Sequence, residues 1–181
     1  MHPRTDELLR HLDANRVVLL GAVDAVPVAL RETRPSPDRW SVAEVLEHLS
    51  RVEEQITRIL TAKLSEAEAA GQLSAQPDTT PITGSLRHDA ILDRRRAVTA
   101  GERVMPRGDL DSAAALAALD RSRTSLRDLV ARVGGLNLET FSLPHPALGP
   151  INGYQWFLFI GTHEARHAAQ ISEIGNALTS H

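Results

Sequence analysis

The chain has 181 residues with 20 Lys and Arg against 23 Asp and Glu, a formal net charge of −3, and no cysteine. This slightly acidic balance gives no support to a nucleic-acid surface, and the missing thiols exclude a cysteine nucleophile, a disulfide framework and cysteine-ligated zinc. Aromatic residues make up only 3% of the chain, and the many Ala, Leu and Arg favour helix over sheet.

The first two predicted helices span residues 5–30 and 41–70. Pro27 is unfavourable in the last turn of the first helix, and a proline-rich break follows it. Ser41 and Glu44 have the spacing of a capping box at the start of the second helix. The apolar side chains expected on the inward faces of these helices are Leu8, Leu12, Leu19, Val23, Val26, Val42, Val45, Leu49, Val52, Ile56 and Ile59.

The third predicted helix begins near Asp111, a candidate N-cap residue, and ends at the glycine pair 134–135. Its inward face carries Leu116, Leu119, Leu126, Leu129 and Val133. The fourth helix extends over residues 152–178, with Asn152 and Gln155 spaced for a second capping box.

The connections differ in length. A short turn joins the first two helices, which we therefore expect to be antiparallel neighbours. Roughly forty residues rich in Pro and Gly separate helices two and three, which is long for a structureless loop. We expect a short helix over residues 88–99 there and a chain that crosses the bundle. The proline-rich stretch 143–150 is expected to lead irregularly into the fourth helix, and no substantial sheet is predicted.

His163 and His167 have the most informative spacing in the chain. Side chains four residues apart on a helix share one face, so both imidazoles can face one ion. The string is also the H-E-x-x-H pattern of zinc proteases, in which Glu164 would be the base. The metzincin extension requires Gly and His where this chain has Gln170 and Glu173. We expect Glu164, rotated about 100° from the ligand face, to be a surface carboxylate.

His48 is the candidate third ligand. The residues printed after His167 contain a single carboxylate, so we expect the third ligand upstream. His48 lies beside Val45 and Leu49 on the inward face of helix two, and its neighbour Glu47 is expected to face solvent like Glu164. Three neutral imidazoles suit zinc, nickel, cobalt or copper, with zinc and nickel favoured, and leave positions open for water or substrate.

Three motifs carry a resemblance to a known family. They are Trp40-Ser41-x-x-Glu44-x-x-x-His48-Leu49, the His145-Pro-x-Leu-Gly149 loop, and His163-x-x-x-His167 followed by Gln170-Ile171. In this order the chain resembles the DinB-like (YfiT-like) superfamily over essentially its whole length, as a single domain of residues 1–181. The resemblance implies an all-α four-helix bundle of up-down-down-up order with a long crossover between helices two and three. It also implies a divalent metal ion held by His48, His163 and His167.

The resemblance also implies a class of chemistry. Characterised members of this superfamily include thiol S-transferases that use bacillithiol or mycothiol and a mycothiol-dependent maleylpyruvate isomerase. We therefore expect a metal-dependent transferase whose partners are a small-molecule thiol and an electrophile, and a homodimer because relatives often pair through helix faces. The alternatives are a metal-dependent hydrolase, which needs a general base, and a non-enzymatic protein that binds metal or a small ligand.

Three further side chains are candidates for orienting a ligand or facing the substrate. His145, between two prolines, is expected to border the site from a loop. Gln170 lies one turn after His167, where it can orient that ring or simply pack. Arg123 lies beside the leucine stripe of helix three. We expect its aliphatic stem to cover apolar surface with the guanidinium group in water, in preference to a guanidinium group that binds an anion. Trp156 and Phe159 are expected in the core.

The apolar stretch 17–26 is too short to span a bilayer and contains Asp24. No signal peptide is recognised, and the lack of cysteine fits a reducing compartment. We expect a soluble, cytoplasmic protein that binds neither membranes nor nucleic acids.

Overall fold

The four long helices form a four-helix bundle. The computed structural model describes residues 1–95 and 100–180. Its helices are α1 (Pro3–Asp24), α2 (Val42–Ala69), the short α3 (His88–Leu92), α4 (Ser112–Arg132) and α5 (Gly153–Thr179). Two short strands, β1 (Ser142–His145) and β2 (Gly149–Asn152), precede α5. No helix in these described ranges is long and apolar enough to cross a membrane.

Helices α1 and α5 are parallel and pack closely. His11 lies opposite Gly161, and further along both helices Val26 lies opposite Gly175. A Cβ atom added at Gly161 would stand 2.7 Å from His11 Cδ2, and one at Gly175 would stand 2.9 Å from Val26 Cγ2. The two glycines therefore set how closely these helix backbones approach.

Helices α2 and α4 form the second parallel pair. Ser122 contacts Glu53, and one end of the pair is joined by Arg132 and Glu68. Helices α1 and α2 are antiparallel, because residues 25–41 reverse the chain direction between them. Arg16, in the middle of α1, contacts Glu53 of α2. The order is thus up-down-down-up, as predicted, with residues 70–111 crossing between α2 and α4. The nearest neighbour of α1 is α5, however, and α1 approaches α2 less closely.

The helix caps follow the local sequence. The Ser41 side chain accepts from the Glu44 backbone while Glu44 accepts from the Ser41 backbone, as a capping box requires. Asn152 and Gln155 make the same pair of bonds at the start of α5. Asp111 caps α4 by accepting from the backbone of the third helical residue. All three predicted starts are confirmed.

Several predicted boundaries are wrong. Helix α1 ends at Asp24, and beyond Pro27 a 3₁₀ turn (Val28–Leu30) replaces its expected last turn. Ile59 is 42% exposed, since the inward face of α2 continues through Leu60 and Leu64. The short helix expected over 88–99 ends at Leu92, and residues 96–99 lie outside the described part.

The stretch 143–150, expected to be irregular, is part of a β-hairpin. Strands β1 and β2 are antiparallel, with Leu143 opposite Ile151 and Pro144 opposite Pro150. Prolines are tolerated in a two-stranded hairpin because each strand has an edge that needs no donor. Gly149, with a positive φ of 75°, allows the reversal.

A layer of charged side chains divides the core. One apolar cluster contains the α1 residue Leu12, the other contains Leu19, and Arg16 lies between them in sequence. The same division occurs on the other three helices, at Glu53, Arg123 and Glu164. All four side chains are buried, so this charged layer crosses the bundle interior at one level.

Candidate metal centre

Three histidines from two antiparallel helices meet inside the bundle. His48 comes from α2, while His163 and His167 come from successive turns of α5. One ring nitrogen from each lies within 4.8 Å of the others, and the Nε2 atoms of His163 and His167 are 3.1 Å apart. The structure therefore brings together the three residues that the sequence predicted as ligands.

Hydrogen bonds orient two of these rings. His48 Nδ1 lies 2.8 Å from the Val104 carbonyl oxygen, and because a carbonyl only accepts, this nitrogen carries the proton. His167 Nδ1 lies 2.7 Å from Gln170 Oε1, which fixes the same tautomer. Each ring thus keeps an unprotonated Nε2 for a ligand, the arrangement common in metal sites. Gln170 orients His167 by this bond, whereas no sequence pattern indicated Val104.

The donor set fits a divalent ion. Imidazole nitrogens bind zinc at about 2.0–2.1 Å, so two nitrogens that share one ion stand roughly 3 Å apart. The His163 and His167 Nε2 atoms are 3.1 Å apart, which agrees with the separation expected for two ligands of one ion. His48 and His167 are only 4% and 7% exposed, so an ion held by these rings would be largely shielded from bulk water.

The surroundings keep the rings neutral. Burial lowers the pKa of His167 to about 3, with a further lowering from His48. Burial and the neighbouring His167 and His48 hold the pKa of His163 well below its ordinary value of 6.5. Burial also lowers the pKa of His48, against the opposing effect of its bond to Val104. Since metal binds only the neutral ring, the site requires no deprotonation at neutral pH.

An aromatic surface continues from the histidines towards the hairpin. Phe159 stacks on His163 with ring centroids 5.2 Å apart. His145 lies 4.4 Å from the Phe159 ring and 5.2 Å from that of Trp156. His145 Nδ1 accepts from the backbone N–H groups of its own turn, and burial lowers the pKa of this ring. His145 thus lies beyond Phe159 from the three histidines.

The predicted environments of Arg123 and Glu164 are wrong. Arg123 Nε donates to Glu53 at 2.7 Å, and its Nη2 lies 2.9 Å from Glu164 Oε1. Arg16 bridges the same carboxylates, at 3.1 Å from Glu53 and 2.7 Å from Glu164. The side chains of this charged layer are at most 10% exposed. Glu164 is therefore a buried carboxylate whose Oε1 is held by two arginines, not a surface carboxylate, and the Arg123 guanidinium lies in the interior and not in water.

A sequence signal for this layer existed but was missed. Each of the four helices carries a charged residue between its two apolar segments, and two of these are basic and two acidic. One helix considered alone does not show which charge faces Arg16 or Glu53 across the bundle.

The prediction for Glu47 is also wrong. This side chain is 3% exposed, and its carboxylate accepts from the backbone N–H groups of Arg107 at 2.9 Å and Gly108 at 3.0 Å. The crossover covers the outer face of the first half of α2, which helical periodicity assigns to solvent. Glu47 therefore fixes the crossover next to His48.

Comparison with known proteins agrees with this architecture. Residues 11–171 match the model of a family described as the DinB superfamily. The uncharacterized protein YuaE of Bacillus subtilis (strain 168) is 29% identical over 144 residues, which covers 78% of this chain and 80% of that protein. The crystal structure of TT2238, a four-helix bundle protein, is similar with a TM-score of 0.58 at 24% identity, covering 93% of this chain and 98% of that one.

Proposed function

Because the chain belongs to the DinB superfamily, we propose that His48, His163 and His167 bind one divalent ion, zinc or nickel, and that the protein transfers a low-molecular-weight thiol to an electrophile. The observation that carries the proposal is the convergence of three ring nitrogens, two of them from buried residues whose rings are oriented by hydrogen bonds. A site of three protein ligands leaves a position open for a further ligand, as in catalytic metal sites.

The protein contributes position and protonation state to this chemistry. An ion bound there supplies Lewis acidity that lowers the pKa of a thiol. Val104 and Gln170 hold His48 and His167 in the tautomer that presents Nε2. Phe159 packs against His163 and limits the motion of that ring. Since the chain has no cysteine, the thiol comes from a cosubstrate, and a reducing cytoplasm that keeps such a thiol reduced is part of the proposal.

The buried carboxylates favour thiol transfer over hydrolysis. A metal-dependent hydrolase needs a general base near the bound water. Glu164 is engaged by two arginines, and Glu47 accepts from two backbone N–H groups. Both carboxylates that neighbour a ligand in the sequence are therefore committed to structural contacts. A thiol nucleophile can instead lose its proton to solvent before it attacks.

Metal content tests the site. We expect a single bound divalent ion per chain in protein purified without an affinity tag, and loss of that ion in His48→Ala, His163→Ala and His167→Ala. The control is His88→Ala, which removes a histidine bonded to Thr162 and Thr83 and not to the three ligands. Elemental analysis makes the measurement, and unchanged metal content in a ligand variant removes that residue from the site.

Activity tests the reaction. The metal-loaded protein is assayed with thiols and electrophiles in pairs, and His48→Ala is expected to abolish any turnover. Metal binding without activity towards any pair would favour the non-enzymatic alternative.

A further inference from the structure

A cleft rich in arginine lies next to the candidate metal centre. Its volume is 720 Å³, within the range of about 300–1,000 Å³ typical of small-molecule sites. Helix α2 forms one side of the cleft and the crossover forms the other. The lining residues are Arg51, Gln55, Arg58, Glu102, Arg103, Met105, Pro106 and Arg107.

The cleft and the metal centre share one segment of the crossover. Val104, whose carbonyl orients His48, lies between two residues that line the cleft. Arg51, one helical turn after His48, donates from Nη2 to the Arg103 carbonyl at 3.1 Å. Glu47 holds the same segment through the backbone of Arg107. Movement of this segment would therefore change the cleft and His48 together.

The charge of the cleft is unbalanced. Four arginines line it against a single acidic residue, Glu102. Among the described residues, no carboxylate lies within 4 Å of the guanidinium groups of Arg58, Arg103 or Arg107. Arg51 differs from these three, because its Nη1 lies 3.6 Å from Glu47 Oε1, while its Nε is buried without a hydrogen-bond partner in the described part of the chain.

We infer that this cleft binds the anionic group, a carboxylate or a phosphate, of the small molecule that reacts at the metal centre. Guanidinium groups bind both anions through paired charge-assisted hydrogen bonds. A small molecule fits better than a nucleic acid, because the cleft is limited in size and the chain has a net charge of −3. The inference rests on the proposed function only in placing the reactive atom of that molecule at the three histidines.

Anion binding to the full chain tests the inference without relying on activity. Inorganic phosphate and succinate are titrated separately at low ionic strength by calorimetry, and the two probes distinguish phosphate from carboxylate. Arg58→Gln/Arg107→Gln is expected to weaken binding by roughly tenfold or more, the effect of losing two charge-assisted contacts. The matched control, Arg87→Gln/Arg127→Gln, removes equal charge from residues that do not line the cleft and is expected to change the Kd less than about twofold.

A second readout locates the anion. In protein labelled with ¹⁵N at arginine side chains, the Arg51 Nε–H signal, assigned with Arg51→Lys, should shift on titration. Absence of binding by the wild type, equal loss in both double variants, or an unmoved Arg51 signal would each overturn the inference. So would binding of a single-stranded oligonucleotide in place of both small anions.

His167→Ala separates this inference from the proposed function, because it removes a ligand without touching the crossover. Anion binding that persists in His167→Ala, together with absence of metal from the wild type, would retain the cleft and reject the metal site. Metal binding without anion binding would do the reverse.

Discussion

Replacing Glu53 by Gln perturbs the buried charged layer without changing side-chain volume appreciably. The Glu53 side chain is 2% exposed and lies 2.7 Å from Arg123 Nε and 3.1 Å from Arg16 Nη2. With Glu164, the layer contains two positive and two negative charges, so its net charge is zero. Burial raises the pKa of Glu53, and the charge of Arg123 opposes this rise.

The magnitude follows from the charge that remains. Glu53→Gln leaves two buried guanidinium groups with one buried carboxylate, Glu164, and with the exposed Asp120 at 3.4 Å from Arg16 Nη1. The interior therefore keeps an excess positive charge. Removing one partner from a buried ion pair costs about 3–5 kcal/mol, against a total stability of about 5–15 kcal/mol for a domain. The exposed pair of Arg127 and Asp13, with side chains 45% and 54% exposed, supplies the control. Asp13→Asn should cost less than about 1 kcal/mol.

Urea unfolding followed by far-UV circular dichroism measures both changes. The double variant Glu53→Met/Arg123→Met leaves Arg16 paired with Glu164, so its net buried charge is again zero. It should be more stable than Glu53→Gln, because charge balance returns although two hydrogen-bonding groups are lost. A cost for Glu53→Gln no larger than that of Asp13→Asn would refute the argument that the layer acts as a balanced unit.

The remaining predictions concern pH, helix packing and metal linkage. Burial holds the pKa of His167 at about 3 and that of His163 well below 6.5, so below about pH 6.5 the unfolded state binds more protons. Metal-free protein should therefore lose about 1 kcal/mol per pH unit through His167 from pH 6 towards 4, with a further loss of the same sign through His163. Urea midpoints that do not change with pH would contradict this. Gly161→Ala should lower the free energy of unfolding by about 1–3 kcal/mol, because the added methyl group meets His11. Gly21→Ala is the control, since no atom lies within 4 Å of an added Cβ there, and it should be neutral or stabilising. Equal effects of the two substitutions would refute the close approach of α1 and α5. Added zinc or nickel at neutral pH should raise the Tm, because an ion bound by ligands from α2 and α5 links these two helices. If a chelator removes the metal and the Tm does not change, metal binding is not coupled to folding.

Sequence alone predicted the four helices and the three histidines of the candidate site, the helices from local spacing and His48 with the added support of the family resemblance. The caps at Ser41, Asp111 and Asn152 are set by side chains within three residues of the backbone groups that they bind. The pair His163 and His167 follows from the helical repeat, and His48 follows from the apolar stripe around it. Whether the triplet binds metal stays a prediction until metal content is measured.

Only the tertiary structure decided which side chains face one another across the bundle. Glu164 and Arg16 are separated by 148 positions in the chain, and Glu164 is expected at the surface until its partner Arg16 is known. Glu47 and His48 depend in the same way on the crossover, whose backbone supplies the groups that they bind. Periodicity describes one helix against an unspecified interior, whereas burial of a charge requires a particular opposite charge or donor at a particular place. These pairs form only when all four helices pack together, so no single segment of the sequence identifies them.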